Sequence, residues 1–266
     1  MSKILKLNNV RVISVAMIKG GVGKTTTVIN LGEALQLLGK KVLLIDADPQ
    51  ASLTEALGIM DEPVKNLFSE LSKVIKGETG DFSQVVMQTS SGINLVPSSI
   101  ELAGAELELV SVYGREQVFS WMLEKVKDQY DFIIIDCPPA IGMLTVNALV
   151  ASDYILIPMQ AEFLPLKGLR IFLHHIKSIK RLNSKLEILG CVLTRYDERK
   201  IMNRQILNIL KQEFGEKLFE AHIRNNIQLA KAQEAGTDIF HFDKHSHGAH
   251  DYYELGKEFL VKIVKN

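Results

Sequence analysis

Cysteine, net charge and long apolar runs are scarce in this chain, and each shortage excludes a class of protein. Only two of the 266 residues are cysteines, too few for a disulfide scaffold or a zinc framework. No apolar stretch approaches the roughly 18 residues that a membrane-spanning helix needs, and the N-terminal segment lacks the apolar core of a secretory signal. The 31 basic residues match the 31 acidic ones, and 47% of the chain is apolar, which argues against disorder. We therefore expect a soluble, cytoplasmic protein with a large buried core.

The sequence does contain an alternation of apolar runs with helical patterns. The runs are short and rich in Val, Ile and Leu, and they cover 10–18, 42–47, 132–136, 154–159 and 188–196. Because they are apolar on both faces, they favour parallel strands with helices on each side. Helical spacing is clearest over 24–38, 64–75 and 169–182. The alternation predicts one α/β domain over residues 1–266, with a doubly wound, mostly parallel twisted sheet and helices on both faces.

The strongest chemical signal is a glycine-rich run between the first predicted strand and the first predicted helix. It consists of Gly20, Gly21, Val22, Gly23, Lys24, Thr25 and Thr26. Backbone N–H groups of such a turn can surround a phosphate, and the N-terminus of the helix adds a positive dipole. We expect Lys24 to contact the β- and γ-phosphates, with an ammonium that is solvated before the nucleotide binds, and the Thr25 hydroxyl to bind Mg²⁺. The alternative, a plain glycine turn, leaves the lysine and the threonine unexplained.

Two further apolar runs end in carboxylates. Asp46 and Asp48 close the run at 42–47, and Asp136 closes the run at 132–136, just before Cys-Pro-Pro. The carboxyl ends of parallel strands face the crevice where ligands bind, and a spacing of two turns Asp46 and Asp48 the same way. Asp136 can hold Mg²⁺ through water in the manner of a Walker B acid. Taken alone, Asp46 and Asp48 could instead cap the helix that follows them.

These motifs, in this order, resemble those of the ParA/MinD family of deviant P-loop ATPases. Lys19 before the glycines, Asp-Ala-Asp-Pro-Gln at 46–50, and Asp-Cys-Pro-Pro at 136–139 carry the likeness, which extends through 242–257 and covers almost the whole chain. The resemblance implies ATP and Mg²⁺ as cofactors, with Asp46 in the water shell of the metal and Asp48 orienting the attacking water. It also implies that Lys19 reaches the nucleotide of a partner subunit, which makes Lys19 a third catalytic residue beside Lys24 and Asp48.

Because only about ten residues precede the first strand, the chain is most similar to the short, Soj-like ParA class. That likeness implies an ATPase for plasmid or chromosome partition, cytoplasmic and associated with the nucleoid. ATP would form a sandwich homodimer, the dimer would bind DNA without sequence preference, and a ParB-like partner would stimulate its slow hydrolysis. Two alternatives are a MinD-like, membrane-associated division-site ATPase and a non-catalytic scaffold. The Asp-Pro-Gln sequence and the absence of a basic C-terminal tail speak against the first, and Asp48 speaks against the second.

Basic residues are concentrated between 167 and 211, although the whole chain is neutral. This segment has eleven Lys or Arg and three acidic residues, an excess of eight positive charges. Such a segregated charge favours a phosphate backbone as partner. The candidate DNA-binding residues are Arg199, Lys200, Arg204 and Arg224.

The chain departs from the family pattern around 223–229. A family arginine that binds DNA falls on Gln228, and Arg224 stands in place of a proline. The resemblance therefore carries a contact with the nucleotide base over to Asn226 alone.

Three weaker features receive structural interpretations. His241, His245, His247 and His250 cluster near Asp243, but their spacing favours a loop of titratable surface histidines over a metal site. The two cysteines lack the spacing of the iron–sulfur branch of the superfamily and are interpreted as small buried hydrophobes. The amphipathic stretch 252–264 has too few basic residues for anionic lipid, so we expect it to dock on the core.

Overall fold

Seven strands form a single sheet in the part of the chain that the computed structural model describes, residues 10–162 and 165–265. The strands are β1 (Arg11–Val15), β2 (Val42–Asp46), β3 (Met87–Gln88), β4 (Asn94–Val96), β5 (Phe132–Asp136), β6 (Tyr154–Gln160) and β7 (Glu187–Thr194). Their order across the sheet is β3-β4-β2-β5-β1-β6-β7, and every neighbouring pair is parallel except β3 and β4 at one edge. The predicted doubly wound, mostly parallel sheet is confirmed.

Helices connect and flank the strands. They are α1 (Lys24–Leu37), α2 (Ser52–Ala56), α3 (Leu67–Ile75), α4 (Leu102–Glu108), α5 (Val118–Leu123), α6 (Met143–Val150), α7 (Pro165–Ile179), α8 (Ile201–Phe214), α9 (Ile227–Glu234), α10 (Ile239–Asp243) and α11 (His247–Lys265). Short 3-10 helices cover Phe82–Gln84, Leu109–Ser111, Arg115–Gln117, Lys127–Gln129 and Gly215–Lys217.

The two faces of the sheet carry separate hydrophobic cores, because successive residues of a strand point to opposite sides. In β5, Ile133 and Ile135 pack into one core, whereas Phe132 and Ile134 pack into the other. All four side chains are buried. This double burial explains why the strand is apolar throughout and why it lies in the middle of the sheet.

The predicted helices are present with shifted ends. Helix α1 begins at Lys24 as predicted and stops at Leu37, just before Gly39, whose φ of +79° ends the helical path. Helix α7 begins four residues before the predicted 169. Helix α3 begins at Leu67 rather than 64, because the Asn66 side chain accepts a hydrogen bond from the Ser69 N–H and so caps the first turn.

The C-terminal helix α11 packs along α1, as expected for the stretch 252–264. Tyr252, Leu255 and Phe259 are buried on its inner face, and the Tyr252 hydroxyl shares a hydrogen bond of 3.3 Å with Thr27 of α1. Among the described residues, no helix has both the length and the apolar character that crossing a membrane requires.

The prediction of a single histidine loop is wrong. His241 lies in α10, His247 and His250 lie in α11, and His245 occupies the turn between these helices. The physical reason is a new helix start at Asp238, whose carboxylate accepts hydrogen bonds from the N–H groups of Phe240 and His241.

Candidate functional site

The glycine-rich run forms a turn between β1 and α1. Gly21 and Gly23 have φ angles of +74° and +87°, which glycine adopts without the steric strain of a side chain. Two side chains from neighbouring strand ends hold the turn from outside. Gln160 Nε2 donates to the Gly21 carbonyl at 2.6 Å, and Thr194 Oγ1 donates to the Val22 carbonyl at 2.8 Å. The loop is therefore held in shape before any ligand binds.

The expectation that Lys24 is solvated without nucleotide is wrong. The residue is only 7% exposed, and its Nζ lies 3.5 Å from the Lys19 carbonyl oxygen at the start of the loop. Its position at the first turn of α1, under the glycine turn, explains this burial. The ammonium already stands at the anion-binding side of the turn, so a phosphate can take the place of one weak carbonyl contact.

Thr25 and Asp136 meet directly below the turn. The Thr25 hydroxyl donates to Asp136 Oδ2 at 2.6 Å, and Asp136 is 1% exposed. Its other oxygen, Oδ1, is buried and has no hydrogen-bond partner among the described residues. Burial raises the pKa of Asp136 well above its usual value, and the negative charge of Asp46 adds to the effect. A hydroxyl beside an orphaned carboxylate oxygen is a donor set that suits Mg²⁺.

Asp46 lies next to Asp136 because β2 and β5 pair in register at these two residues. It is fully buried, and burial raises its pKa to about 7, although hydrogen bonds from Thr54 oppose the shift. Oδ2 accepts from both the N–H and the hydroxyl of Thr54, at 2.8 and 2.7 Å. The capping alternative thus describes part of what Asp46 does, because Thr54 belongs to the first turn of α2. Among the described residues, Asp46 Oδ1 accepts one longer hydrogen bond, of 3.2 Å, from the Asp48 N–H.

Asp48 is half-buried at the start of the loop that follows β2. Its Oδ1 accepts from the Gln50 N–H at 3.0 Å, and its carbonyl accepts from the Ser98 hydroxyl at 2.6 Å. These bonds fix the backbone and one carboxylate oxygen. Asp48 Oδ2 accepts no hydrogen bond from the described residues, so it can accept one from a water.

The Lys19 ammonium lies near an acidic side chain. Its Nζ lies 3.9 Å from Glu162 Oε2, and the Lys19 side chain is 34% exposed. Such a partly solvated pair typically contributes about 0–1 kcal/mol. The contact therefore places little constraint on Lys19.

Asn226 is the N-cap of α9, where its Oδ1 accepts from the Gln228 N–H at 2.9 Å. About two turns further along the same helix, Gln233 Nε2 donates to Thr26 Oγ1 at 3.2 Å. Helix α9 is thus tied to the first turn of α1, and Asn226 lies at its end. The bond to Gln228 engages the amide oxygen of Asn226 and leaves its amide nitrogen as a hydrogen-bond donor.

The four candidate DNA-binding residues lie around the start of α8. Lys200 is its N-cap, Arg199 and Arg204 flank it, and a parallel bridge between Tyr196 and Arg224 brings the fourth residue alongside. All four are exposed. The structure places two of their charges beside acids. Arg199 donates two 2.9 Å hydrogen bonds to Asp197 and so lowers the pKa of the Asp197 carboxyl to about 2. Arg224 forms an ion pair with Asp251, with a nitrogen–oxygen distance of 2.6 Å.

Sequence reasoning missed the residues that shape the site from outside the motifs. Gln160 and Thr194 hold the glycine turn, and Thr54 and Ser98 hold the loop after β2. A signal existed for the first two, since each is a polar residue that ends an otherwise apolar strand. Polar residues at the carboxyl ends of parallel strands are candidates for a ligand site.

Comparisons with known proteins agree with this geometry. The chain matches a family model described as an AAA domain over residues 10–188. It is 40% identical over 250 residues to the sporulation initiation inhibitor protein Soj of Bacillus subtilis, covering 93% of this chain and 97% of that protein. It is 36% identical over 261 residues to the chromosome partitioning protein ParA of Caulobacter vibrioides, covering 97% of each. Among solved structures, cobyrinic acid a,c-diamide synthase from Mycobacterium smegmatis with bound ATP analog and magnesium is similar with a TM-score of 0.81, at 34% identity and 94% coverage of both chains.

Proposed function

The chain belongs to the ParA/Soj family of P-loop partition ATPases, and from this premise we propose that it is an ATP- and Mg²⁺-dependent switch for DNA partition. The observation that carries the proposal is the Thr25–Asp136 pair beside the glycine turn. Asp136 keeps one buried oxygen without a partner, next to a second buried carboxylate, Asp46. Two buried acids in contact are costly unless a cation or a proton neutralises them.

The residues fit Mg²⁺ bound together with a nucleotide. Thr25 supplies a hydroxyl as direct ligand, and Asp136 and Asp46 supply carboxylate oxygens that accept from metal-bound water. When bound, the ion neutralises charge that builds up on the phosphates during transfer. We assign the phosphate contacts to the N–H groups of residues 20–26 and to Lys24.

The proposed hydrolysis needs a positioned water and stabilised charge rather than a covalent nucleophile. Asp48 accepts a hydrogen bond from the attacking water through its available Oδ2 and orients the oxygen towards the γ-phosphorus. Lys24 stabilises charge in its own subunit, and Lys19 does so across the interface of an ATP-dependent homodimer. Asn226 contacts the base.

In the proposed cycle, the ATP-bound dimer binds DNA without sequence preference and associates with the nucleoid. A ParB-like partner stimulates the slow hydrolysis and so releases the dimer. The support for the DNA surface is the exposed basic group at the start of α8, in which Lys200 and Arg204 have no acidic side chain as an ion-pair partner among the described residues.

One structural relative is described as a cobyrinic acid a,c-diamide synthase, which implies amide formation instead of simple hydrolysis. The sequence relatives with higher identity, at 40% and 36%, are Soj and a chromosome partitioning protein. We therefore place this chain's activity with partition. Release of ADP and phosphate in the presence of DNA, with no small-molecule acceptor added, is the expected result.

Lys24→Ala should abolish ATP binding. The Lys24 side chain is buried at the glycine turn, and a charged hydrogen bond contributes about 1.5–3 kcal/mol. The variant loses one such bond to each of the β- and γ-phosphates, so we expect affinity to fall roughly 100-fold or more. The measurement is titration with a fluorescent ATP analogue. Lys76→Ala, at the exposed end of α3, is the matched control and should bind normally. Near-native affinity of the Lys24 variant, with its melting temperature unchanged, would exclude the assigned role.

The proposed function is tested by the salt dependence of DNA binding. Each phosphate neutralised adds about −0.9 to the slope of log K against log salt, so Arg199→Ala combined with Lys200→Ala should flatten the slope by roughly two. The assay is fluorescence anisotropy on two unrelated duplexes, with ATP and with ADP. Binding should require ATP and show no preference between the duplexes.

The matched control for this test changes two charges at the far end of the same basic segment. Lys180 and Arg181 follow α7 and precede β7, whereas α8 begins after β7, so the two pairs of charges lie at opposite ends of that strand. Their double alanine variant should keep the native slope. Equal slopes for the two double variants would move the DNA surface elsewhere. ATP-dependent binding to anionic vesicles without binding to DNA would support the MinD-like alternative instead.

A further inference from the structure

A group of metal-binding side chains lies away from the nucleotide site, between the middle of α1 and the start of α10. Glu33 of α1, Asp238 and His241 each offer a ligand atom, and these three atoms lie within 4.8 Å of one another. Only the tertiary fold brings these side chains together, since Glu33 is separated from the other two by about two hundred residues in the sequence.

The C-terminal half of the group is held in position. Asp238 is 1% exposed, and its Oδ1 accepts from the N–H groups of Phe240 and His241 at 2.8 and 3.1 Å. Its Oδ2 lies 2.7 Å from His241 Nδ1. The Ile239 N–H donates to Asn30 Oδ1 of α1 at 2.9 Å, one helical turn before Glu33. The helix start and its capping carboxylate are therefore fixed against α1.

Glu33 supplies an independent observation that points to a ligand. The residue is 5% exposed, and its Oε2 is buried without a hydrogen-bond partner in the part of the chain that the structure describes. A buried, unsatisfied carboxylate oxygen is rare and costs about 1–3 kcal/mol or more in folded proteins. Burial raises the pKa of Glu33 to about 7, and the charge of Asp238 adds to this shift. The carboxylate needs a positive charge that the nearby side chains do not fully supply.

We propose that Glu33, Asp238 and His241 form a binding site for one divalent transition-metal ion of the zinc type. Two carboxylates and one imidazole are a ligand set that zinc accepts, and imidazole favours it over Mg²⁺ or Ca²⁺. The ion neutralises the two buried carboxylates of Glu33 and Asp238. His241 is half-exposed, so water can occupy a fourth position.

Ligand atoms around a tetrahedral zinc ion lie about 3.3 Å apart when the metal–ligand bonds are about 2.0–2.1 Å long. The three ligand atoms lie within 4.8 Å of one another, and Asp238 Oδ2 and His241 Nδ1 are 2.7 Å apart, so their spacing has to adjust when an ion binds. The imidazole of His241 can supply that movement, because its side chain is 49% exposed while the carboxylates stay packed.

This site is distinct from the nucleotide site, although α1 takes part in both. Thr25 lies in the first turn of α1 and Glu33 lies eight residues later, about 12 Å along the helix. An ion bound at Glu33 links the helix that carries the glycine turn to the C-terminal helix pair α10 and α11. We therefore assign it a structural role, which is measurable without nucleotide or turnover.

The test uses the full chain, stripped of metal with a chelator and kept free of nucleotide, with excess Mg²⁺ present to occupy the acidic nucleotide site. Zn²⁺ is titrated in competition with a fluorescent zinc chelator, and thermal unfolding is followed with and without Zn²⁺. We expect one ion per chain and a rise in melting temperature of roughly 5–10 °C at saturation. The single variants Glu33→Gln and Asp238→Asn should each weaken zinc binding at least about tenfold and remove most of the rise.

Both variants are chosen to fold. Glutamine has the shape of a protonated glutamate, and asparagine caps a helix as well as aspartate does, so neither metal-free melting temperature should fall by more than a few degrees. The matched control combines His245→Ala with His250→Ala, two exposed histidines outside the group. It should bind zinc as the native chain does.

Substitution with Co²⁺ supplies a second readout, because a tetrahedral site gives an intense visible absorption that Glu33→Gln should remove. The proposal is overturned if the native chain takes up no zinc, or if Glu33→Gln and Asp238→Asn bind it with native affinity. It is also overturned if the histidine control abolishes binding. None of these results bears on ATP binding or hydrolysis, so failure here is distinguishable from failure of the proposed partition function.

Discussion

Asp48→Asn should bind ATP, form the dimer and remain on DNA, but hydrolyse ATP about 10²–10⁴-fold more slowly in the presence of the stimulating partner. An asparagine oxygen can still accept the Gln50 N–H bond that holds the loop after β2. The amide is a much poorer acceptor for the attacking water than the carboxylate. The variant therefore removes the orientation of the water and keeps the geometry of the loop. A phosphate-release assay measures the loss of hydrolysis, and a DNA-binding assay measures the retained ATP-bound state.

Asp48→Ala provides the comparison, because it removes the water contact and the bond to Gln50 together. We expect the same loss of hydrolysis, with an additional loss of order in the loop. Glu55→Ala, on the exposed side of α2, is the matched acidic control and should keep the native rate. Native, partner-stimulated turnover by Asp48→Asn would remove Asp48 from the chemistry and leave it a structural residue of the loop.

The central strands could be predicted because a strand that is buried on both faces is apolar at nearly every position. The five central and C-terminal strands, β1, β2, β5, β6 and β7, all fall in apolar runs of the sequence. Parallel strands that helices cover on both faces require such runs. The edge pair β3 and β4 could not be found, since two and three residues are too short to show a period. In the structure β4 pairs with β2, and β3 joins the sheet through its antiparallel pairing with β4.

The chemical core of the site could be predicted because its parts are contiguous in sequence. The glycine turn, Lys24 and Thr25 occupy neighbouring positions, and a single motif describes them. The supports of that turn could not be predicted in the same way. Gln160 and Thr194 reach it from two other strands, and only the parallel alignment of strand ends brings them to the turn.

Charge is the property that the sequence described least well. The excess of eight positive charges over 167–211 is a sum that does not say which basic side chains are paired. In the structure Arg199 pairs with Asp197 inside that segment, and Arg224, which lies outside it, pairs with Asp251. A count along the chain cannot distinguish paired from unpaired side chains, because ion pairs depend on three-dimensional contacts. Lys200 and Arg204 are therefore the better candidates for phosphate contacts than the count alone suggests.

Lys19 differs from the other loop residues because its ammonium contacts an acid instead of the glycine turn. Its only ion pair among the described residues is with Glu162, at 3.9 Å and with both side chains partly solvated. Lys19 can leave Glu162 for a phosphate at little cost, since exposed ion pairs contribute about 0–1 kcal/mol to stability. Lys24, and not Lys19, places its ammonium at the glycine turn of its own subunit. Lys19 is therefore free to serve a phosphate that another subunit brings.

Lys19→Gln should still bind ATP as a monomer but fail to dimerise, and it should lose DNA binding and stimulated hydrolysis together. Two ATP molecules facing each other repel strongly, and a lysine from each subunit offsets that repulsion across the interface. Light scattering with a non-hydrolysable ATP analogue should show the native chain doubling in mass, whereas Lys19→Gln and all ADP samples stay monomeric. Glu162→Gln, which releases Lys19 without removing it, should dimerise at least as well as the native chain. A Lys19→Gln protein that dimerised and hydrolysed ATP normally would refute the action across the interface, because the remaining lysine, Lys24, would then suffice for both subunits.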